Sequence, residues 1–270
     1  MNFSYGHHSV YYESYGEGKP LLILNGIMMS TASWKPFIPA FSASNRLILV
    51  DLLDQGQSSK LDGIVYNQDI QVAMLYAFIT ELGLKDLALF GISYGGEVAI
   101  KLTIRYPHLV ERLMLFNTTA YTSDWLVEVG RAWNKAAHDP EAYYSTTIPI
   151  IYSPKFYQEH LEWMENRKKT LHQVFANPVF INAMIRLTNS ANDLDERERL
   201  HTITCPTLVV GCEQDLITPF ENQRYLAHHI PRAQLVYVPE SGHALMYEKP
   251  TLFSSLVIGF TLTTKLEDII

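Results

Sequence analysis

The chain has 270 residues, of which 47% are hydrophobic and 18% charged, so it can bury one large core and lacks the composition of a disordered protein. Its net charge of −7 argues against a nucleic-acid partner, because phosphate binding needs clustered Lys and Arg side chains that the sequence does not contain. No window approaches the roughly eighteen consecutive apolar residues of a membrane span, and the N-terminus has no signal-peptide pattern. Two cysteines also suit a reducing compartment. We therefore expect a cytoplasmic protein with a small-molecule substrate and no nucleic-acid or membrane partner; a homodimer is compatible with the sequence.

The first part of the chain alternates between strand and helix patterns. Predicted strands cover residues 9–15, 20–25, 46–51, 86–90 and 109–116, and predicted helices cover residues 34–41, 67–82 and 94–106. This order is typical of a doubly wound, mostly parallel α/β sheet, in which we expect the first strand to be antiparallel. Two more apolar strands are predicted late in the chain, at residues 207–211 and 234–238.

Between about residues 119 and 203 this alternation stops. The segment contains no convincing strand, and helices are predicted near residues 125–137, 140–144, 154–175 and 178–189. A helical insertion between two parallel strands lies at the carboxyl edge of the sheet, where it can cover a binding site. We therefore predict a core domain of residues 1–118 and 204–270 with an inserted all-helical cap, or lid, of residues 119–203.

The motif Gly91-Ile92-Ser93-Tyr94-Gly95 joins a predicted strand to a predicted helix. Glycines two positions before and after Ser93 remove the Cβ atoms that would clash in a tight strand-to-helix turn, and such a turn exposes the serine hydroxyl. The backbone N–H of Tyr94 lies at a helix N-terminus, where it can face an oxyanion formed on a substrate attacked by Ser93. The motif therefore predicts a nucleophilic serine.

A serine hydroxyl is a weak nucleophile unless a base takes its proton and an acid orients that base. His243 follows the predicted strand at residues 234–238, and Asp215 follows the one at residues 207–211, each in a loop at the carboxyl end of its strand. None of the other histidines has such a position. We predict His243 as the base and Asp215 as the acid.

Ser93, Asp215 and His243 occur in the order Ser, Asp, His of the α/β-hydrolase fold family, which the chain resembles nearly from end to end. The resemblance implies a catalytic triad of these residues. Some members carry the acid after the preceding core strand, and there the first carboxylate of this chain is Asp124. Asp124 is therefore the alternative to Asp215.

Two further segments resemble this family. Residues 21–27 are similar to the strand that ends in His-Gly, with Asn25 in place of the histidine, and the resemblance implies that the N–H of Ile27 is the second donor of the oxyanion hole. Residues 51–58 are similar to the turn Asp-Leu-Pro-Gly-His-Gly-x-Ser. They keep its first, second, sixth and eighth residues and lose the Pro, Gly and His.

The predicted cap is rich in aromatic side chains, most of which we expect to fill its own core. A minority should line the substrate pocket. Our candidates for that pocket are Met28 and Met29 beside the oxyanion loop, and Trp125, Trp133 and Tyr144 in the cap.

Residue types also exclude several chemistries of the family. Haloalkane dehalogenases and epoxide hydrolases use an aspartate at the position of Ser93, and proline iminopeptidases typically have a tryptophan at that of Tyr94 and a His-Gly-Gly-Pro-Gly loop. We expect an esterase that cleaves a small to medium, largely apolar carboxylic ester, lactone or thioester through an acyl-enzyme on Ser93, without a cofactor or metal. Acyltransferases and carbon–carbon bond hydrolases of this fold share the triad, and a receptor-like ligand-binding protein with residual hydrolase activity is the alternative from another class.

Overall fold

A computed structural model describes residues 1–262, which form a single eight-stranded sheet flanked by helices. The strands are β1 (Asn2–Tyr5), β2 (His8–Tyr15), β3 (Lys19–Leu24), β4 (Asn45–Val50), β5 (Leu87–Ile92), β6 (Val110–Phe116), β7 (Thr207–Cys212) and β8 (Ala233–Val238). Their order across the sheet is β1-β2-β4-β3-β5-β6-β7-β8. The β1–β2 and β2–β4 pairs are antiparallel, and the remaining neighbours are parallel. The predicted doubly wound, mostly parallel sheet is confirmed, including the antiparallel strand near the N-terminus.

The helices follow the same chain order. They are α1 (Ile38–Ser42), α2 (Asp69–Glu81), α3 (Tyr94–Arg105), α4 (Asp124–Ala136), α5 (Pro140–Ile151), α6 (Pro154–Glu159), α7 (Leu161–Phe175), α8 (Pro178–Ser190), α9 (Phe220–His229), α10 (Leu245–Glu248) and α11 (Pro250–Leu262). Short 3₁₀ segments cover Thr31–Phe37, Pro107–Leu109 and Arg197–Thr202. No helix within residues 1–262 is both long and apolar enough to cross a membrane.

The central strands are apolar throughout because both of their faces are covered. Along β3, Leu22 and Leu24 belong to the apolar cluster that contains α2 and α3, whereas Leu21 and Ile23 belong to a second cluster on the opposite face. In that second cluster Phe253 of α11 packs against the rings of several core aromatics, with centroid distances from 5.2 to 6.2 Å. These two layers hold the carboxyl ends of β3, β5, β6, β7 and β8 at one edge of the sheet.

The insertion between β6 and β7 contains helices α4 to α8. The helix predicted at residues 154–175 is two helices, since His160 has φ −123° and ψ 37° and breaks the helical path. The helix predicted at residues 140–144 continues to Ile151.

Where the chain enters and leaves the insertion, Tyr121 and Asp195 form an antiparallel bridge. Hydrogen bonds from Thr122 N to Leu194 O at 3.0 Å and from Glu196 N to Ala120 O at 2.8 Å flank this bridge, which we call the neck.

Two features of the N-terminal part also differ from the sequence analysis: one helix was predicted wrongly and one strand was not predicted. Residues 34–41 are not one helix: a 3₁₀ turn precedes the short α1, because Pro36 and Pro39 lack the N–H groups that a continuous α-helix would use. The edge strand β1 was not predicted, because a four-residue strand with only Phe3 buried carries too short an alternation to recognise.

Candidate active site

Ser93 lies on a tight turn between β5 and α3, with backbone angles φ 53° and ψ −126°. A Cβ atom on Gly91 would lie 2.5 Å from Gly95 O, and one on Gly95 would lie 2.3 Å from Leu24 O, so both positions require glycine. Ser93 N donates to Phe116 O at 3.0 Å, which anchors the turn to the neighbouring strand β6. This anchoring maintains a backbone conformation that costs a non-glycine residue about 1 to 3 kcal/mol.

The imidazole of His243 is held by the carboxylate of Asp215, with Nδ1 and Oδ2 2.7 Å apart. A carboxylate only accepts hydrogen bonds, so the ring proton belongs on Nδ1 and Nε2 is left free to accept a proton. Asp124, the alternative acid, is the exposed first residue of α4 and makes no hydrogen bond to His243. The structure therefore brings Asp215, and not Asp124, to the histidine.

Asp215 is buried and held by several donors. Asn117 Nδ2 lies 2.8 Å from Oδ2, Thr218 Oγ1 lies 2.9 Å from the same oxygen, and the backbone N–H groups of Ile217 and Thr218 donate to Oδ1 at 2.8 and 2.9 Å. Burial by itself would raise the pKa of Asp215, but His243 and these donors outweigh it and lower the pKa below its usual value. Asp215 is therefore charged when it orients His243.

A cavity of about 830 Å³ lies between the core and the insertion, and both Ser93 and His243 line it. The core contributes residues 26–30 after β3, and the insertion contributes side chains of α4, α5, α7 and α8. Most of the side chains from the insertion are apolar, among them Ile148, Val174, Phe175, Phe180 and Met184.

The five predicted pocket residues divide into two groups. Met28, Met29 and Trp133 line the cavity. Trp125 does not: it is 57% exposed on the outside of α4, where Nε1 donates to Leu216 O at 2.9 Å. Tyr144 does not line the cavity either, so its prediction was also wrong: its ring is buried inside the insertion and packs edge-on against His172.

The two backbone N–H groups of the predicted oxyanion hole, those of Ile27 and Tyr94, belong to residues that line the cavity. Neither group has an acceptor among the described residues. Gly26, the residue before Ile27, is so close to Ser93 that a Cβ atom on it would lie 3.5 Å from the Cβ of Ser93. Two unused donors therefore flank the space in front of the serine.

The contacts within the turn at residues 51–58 show why this chain keeps Asp51, Gly56 and Ser58 of the family pattern. Asp51 accepts hydrogen bonds from Thr31 N at 2.7 Å and from Gln57 N at 2.8 Å. Gly56 has φ +39°, and a Cβ atom there would lie 2.0 Å from Asp51 Oδ2. Ser58 Oγ donates to Asp51 O at 2.6 Å. These contacts hold the turn against the loop that follows β3 without the Pro, Gly and His of the family pattern.

Sequence reasoning missed Glu97, which lies in the first turn of α3 and lines the cavity. Its carboxyl group is buried and accepts one hydrogen bond, from Gln68 Nε2 at 2.6 Å. Burial raises the pKa of Glu97 to about 7, although Gln68, His243 and Lys101 act in the opposite direction. The sequence could have indicated Glu97, because a residue four positions after Ser93 lies in the first turn of the helix that begins at the site.

Arg167 on α7 was also missed. It lines the cavity and forms no ion pair with a carboxylate among residues 1–262; the other lysine or arginine of the wall, Lys60, donates to three backbone oxygens. Its Nε is buried and makes no hydrogen bond. The guanidinium lies over the rings of Tyr247, Trp163 and Tyr152, with centroid distances of 4.8, 5.3 and 5.9 Å. Such an aromatic cage holds the guanidinium in place while leaving donors free.

Comparison with known proteins identifies the family of this site. A family model described as the alpha/beta hydrolase fold matches residues 19–250. The crystal structure of MGS-M2, an alpha/beta hydrolase enzyme from a Medee basin deep-sea metagenome library, is 43% identical with a TM-score of 0.96 and covers 98% of each chain.

Two curated relatives are more distant in sequence. A protein of Azorhizobium caulinodans, provisionally named the carbamate hydrolase RutD, is 27% identical over 94% of this chain and 96% of its own length. The pimeloyl-[acyl-carrier protein] methyl ester esterase of Nitrosomonas europaea is 26% identical over 92% of this chain and 97% of its own length.

Proposed function

Because the chain belongs to the α/β-hydrolase fold family, we propose that it is a serine hydrolase that cleaves a carboxylic ester, lactone or thioester through an acyl-enzyme on Ser93. One observation carries the proposal: His243, oriented by the 2.7 Å hydrogen bond to Asp215, faces the same cavity as the strained turn of Ser93. The names of the two curated relatives, a methyl ester esterase and a carbamate hydrolase, support chemistry at a carbonyl carbon bonded to oxygen.

In the proposed mechanism, His243 Nε2 takes the hydroxyl proton while Ser93 Oγ forms a bond to the carbonyl carbon of the substrate. The carbonyl oxygen becomes an oxyanion, which the N–H groups of Ile27 and Tyr94 stabilise. Protonated His243 then gives its proton to the leaving oxygen or sulfur as the bond to carbon breaks. In the second half, His243 takes a proton from water, the water oxygen attacks the acyl-enzyme, and Ser93 is released with its proton restored.

The cavity wall suggests the shape of the substrate. Its volume suits a small to medium molecule, and its apolar lining from the insertion suits a hydrocarbon chain or ring. The Nε–H group of Arg167 is buried and makes no hydrogen bond. Such a donor favours a ligand that supplies an acceptor. We therefore propose that the preferred ester carries a carboxylate or similar anionic group at a distance from the scissile bond.

The experiment that tests this function is a turnover screen with p-nitrophenyl esters, acyl-CoA thioesters and lactones, run on the wild type and on Ser93→Ala. We expect turnover by the wild type on at least one class, a loss of at least about 10⁴-fold in the variant, and labelling of Ser93 by a fluorophosphonate probe. A wild type without turnover whose melting temperature nevertheless rises with a ligand would favour the receptor-like alternative. Acyl transfer to an added alcohol or thiol in preference to water would favour an acyltransferase.

A further inference from the structure

We propose that Gln55 is a positioning residue of the oxyanion hole, and that Asn25 fixes the direction in which its amide points. This inference rests on the proposed function, since it concerns the donor N–H of Ile27. Asn25 and Gln55 replace the two histidines of the family segments that they resemble, and both are wholly buried.

The contact that carries the proposal joins the side chain of Gln55 to the backbone before Ile27. Gln55 Nε2 donates to Gly26 O at 2.9 Å, and Met29 N donates to the same oxygen at 3.1 Å. Two donors therefore fix the direction of the Gly26 carbonyl. Gly26 lies after the end of β3, where no strand ladder would otherwise hold it.

The direction of that carbonyl determines the direction of the oxyanion donor. The described chain contains no cis peptide bond, so the carbonyl of Gly26 and the N–H of Ile27 point to opposite sides of one rigid plane. Gln55 is not among the residues that line the cavity, whereas Ile27 and Ser93 are. A Gly26 carbonyl held towards Gln55 therefore turns the N–H of Ile27 to the cavity side, where Ser93 lies. A rotation of this peptide would remove one of the two donors from the oxyanion.

Asn25 determines which end of the Gln55 amide faces Gly26. Asn25 Nδ2 donates to Val50 O at 2.9 Å and to Gln55 Oε1 at 3.2 Å, and Trp34 Nε1 donates to Asn25 Oδ1 at 2.7 Å. A second donor to Gln55 Oε1 is Leu52 N, at 3.2 Å. With Oε1 occupied by two donors, Nε2 is the end that is left for the Gly26 carbonyl.

Charged groups lie close to Gln55 but are occupied elsewhere. Lys60 Nζ donates to the backbone oxygens of Gln55, Gly56 and Ser58 at 3.0, 2.8 and 2.6 Å. Asp51 accepts backbone hydrogen bonds, as described above, and Asp54 is paired with Arg186. His243 and Glu97 line the cavity, and their side chains are hydrogen-bonded to Asp215 and Gln68 rather than to Gln55. The neighbouring charged groups are the same in the wild type and in a variant of position 55. A comparison of the two proteins at each pH therefore isolates the titration of a carboxyl group introduced at that position.

The test is the variant Gln55→Glu, which keeps the shape of the side chain. Its charged form cannot donate to the Gly26 carbonyl, whereas its protonated form can. We expect kcat to fall by about 10 to 100-fold at high pH with KM within about twofold, since the loss of one whole oxyanion donor costs about 10² to 10³. The ratio of kcat in the variant to kcat in the wild type should rise as the pH is lowered, because protonation restores the donor and the ratio cancels the titration of His243 and Glu97, which both proteins share. Affinity for an alkyl boronic acid, a mimic of the tetrahedral state, should fall in parallel with kcat.

The matched control is Gln71→Glu. Gln71 is equally buried and also holds the same turn, through Leu53 N at 3.0 Å and Leu53 O at 2.9 Å, but it does not contact Gly26. We expect it to change stability without a pH-dependent loss of kcat. If Gln55→Glu does not fold, Gln55→Met, which lacks a donor at every pH, should show the same loss of kcat and of boronic acid affinity at unchanged KM.

Two results would overturn the proposal. One is a kcat ratio that does not change with pH, or an undiminished kcat in Gln55→Met; the other is an equal loss of kcat in Gln71→Glu. Failure of the proposed function itself would appear differently, as full activity in Ser93→Ala, whatever the variants at position 55 do.

Discussion

Arg186 of helix α8 and Asp54 of the core form a two-point ion pair, with 2.9 Å between Nε and Oδ2 and 2.6 Å between Nη2 and Oδ1. Asp54 occupies the position of a glycine in the family turn and has φ +72°. Its carboxylate is buried and also accepts hydrogen bonds from Tyr66 Oη and Leu61 N. The pair therefore ties the insertion to the turn that supports the oxyanion loop.

The first prediction concerns this pair. Arg186→Met leaves the Asp54 carboxylate buried with hydrogen-bond donors but without a cation, which should lower the free energy of unfolding by about 3 to 5 kcal/mol. Asp54→Gly removes the buried charge and the strained backbone together, so its loss should be smaller. Urea unfolding of the wild type, the two single variants and the double variant measures these free energies of unfolding. A double variant less stable than Arg186→Met alone would contradict the explanation.

The second prediction concerns the histidine and its acid. His243→Ala should lower kcat by about 10⁴-fold or more, and Asp215→Asn by a similar or somewhat smaller factor, because an amide can hold the wrong tautomer of the ring. Asp124→Asn is the control at the alternative position and should keep wild-type kcat. Steady-state rates on the best ester from the screen measure all three. A large loss in Asp124→Asn would refute the assignment of the acid.

The third prediction is a dependence of stability on pH that arises from Glu97. Its pKa is raised from 4.5 to about 7, so between these pH values the folded protein holds a proton that the unfolded chain has lost. This contribution to stability is present below about pH 4.5 and is lost as the pH rises through about 7. Glu97→Gln should therefore match the wild type at low pH and exceed it by about 3 kcal/mol at pH 8.

The comparison uses chemical unfolding of both proteins at pH 5 and pH 8. Glu162→Gln, at an exposed glutamate of α7, serves as the control and should follow the wild type at both values. Parallel curves for Glu97→Gln and the wild type would show that Glu97 is already charged in the folded protein at neutral pH.

The fourth prediction concerns Arg167, a cation of the cavity wall. Arg167→Met should raise KM for a monomethyl dicarboxylate ester by about 10 to 100-fold, since a hydrogen bond to a charged group is worth about 1.5 to 3 kcal/mol. For an uncharged methyl ester of the same chain length, KM should stay within about twofold. Lys169→Met, at an exposed position of the same helix, controls for the change in net charge. Equal effects of Arg167→Met on the charged and uncharged esters would exclude Arg167 as the anion site.

The fifth prediction separates two aromatic residues of the insertion. Trp133 lines the cavity, so Trp133→Leu should change the preferred acyl size, with shifts of about 1 to 3 kcal/mol between substrates. Tyr144 lies in the interior of the insertion, so Tyr144→Leu should lower the unfolding free energy and leave the rank order of substrates unchanged. Rates on a series of p-nitrophenyl esters, together with thermal melts, distinguish the two effects.

The sheet was predictable because each central strand is a short, continuous apolar run, and because parallel strands require helices between them. Ser93, Asp215 and His243 could be proposed as site residues for a related reason: each follows a predicted strand, and the carboxyl ends of parallel strands share one edge. The glycines around Ser93 added a steric reason, because Cβ atoms on Gly91 and Gly95 would clash with backbone atoms.

Side-chain direction within the insertion was not predictable in the same way. Trp125 and Trp133 lie on one helix, α4, but only Trp133 faces the cavity, and this depends on how α4 packs against helices far away in sequence. Arg167 was not predicted, because the absence of a carboxylate partner within the described residues depends on the assembled fold. Of the three rings around its guanidinium only that of Trp163 lies on α7, whereas Tyr247 comes from α10 and Tyr152 follows the end of α5.

The neck lets the size of the insertion vary without changing the sheet. Since Tyr121 and Asp195 are paired, the insertion departs from the sheet and returns to it at a single point, and β6 and β7 pair directly beneath. The entropy of closing a loop at such a point grows slowly with its length, by only about 0.6 kcal/mol for each doubling. As long as the cation that pairs with Asp54 is kept, helices could therefore be added to the insertion or exchanged at little cost to the sheet, so that the molecules recognised could change while the turn of Ser93 stays the same.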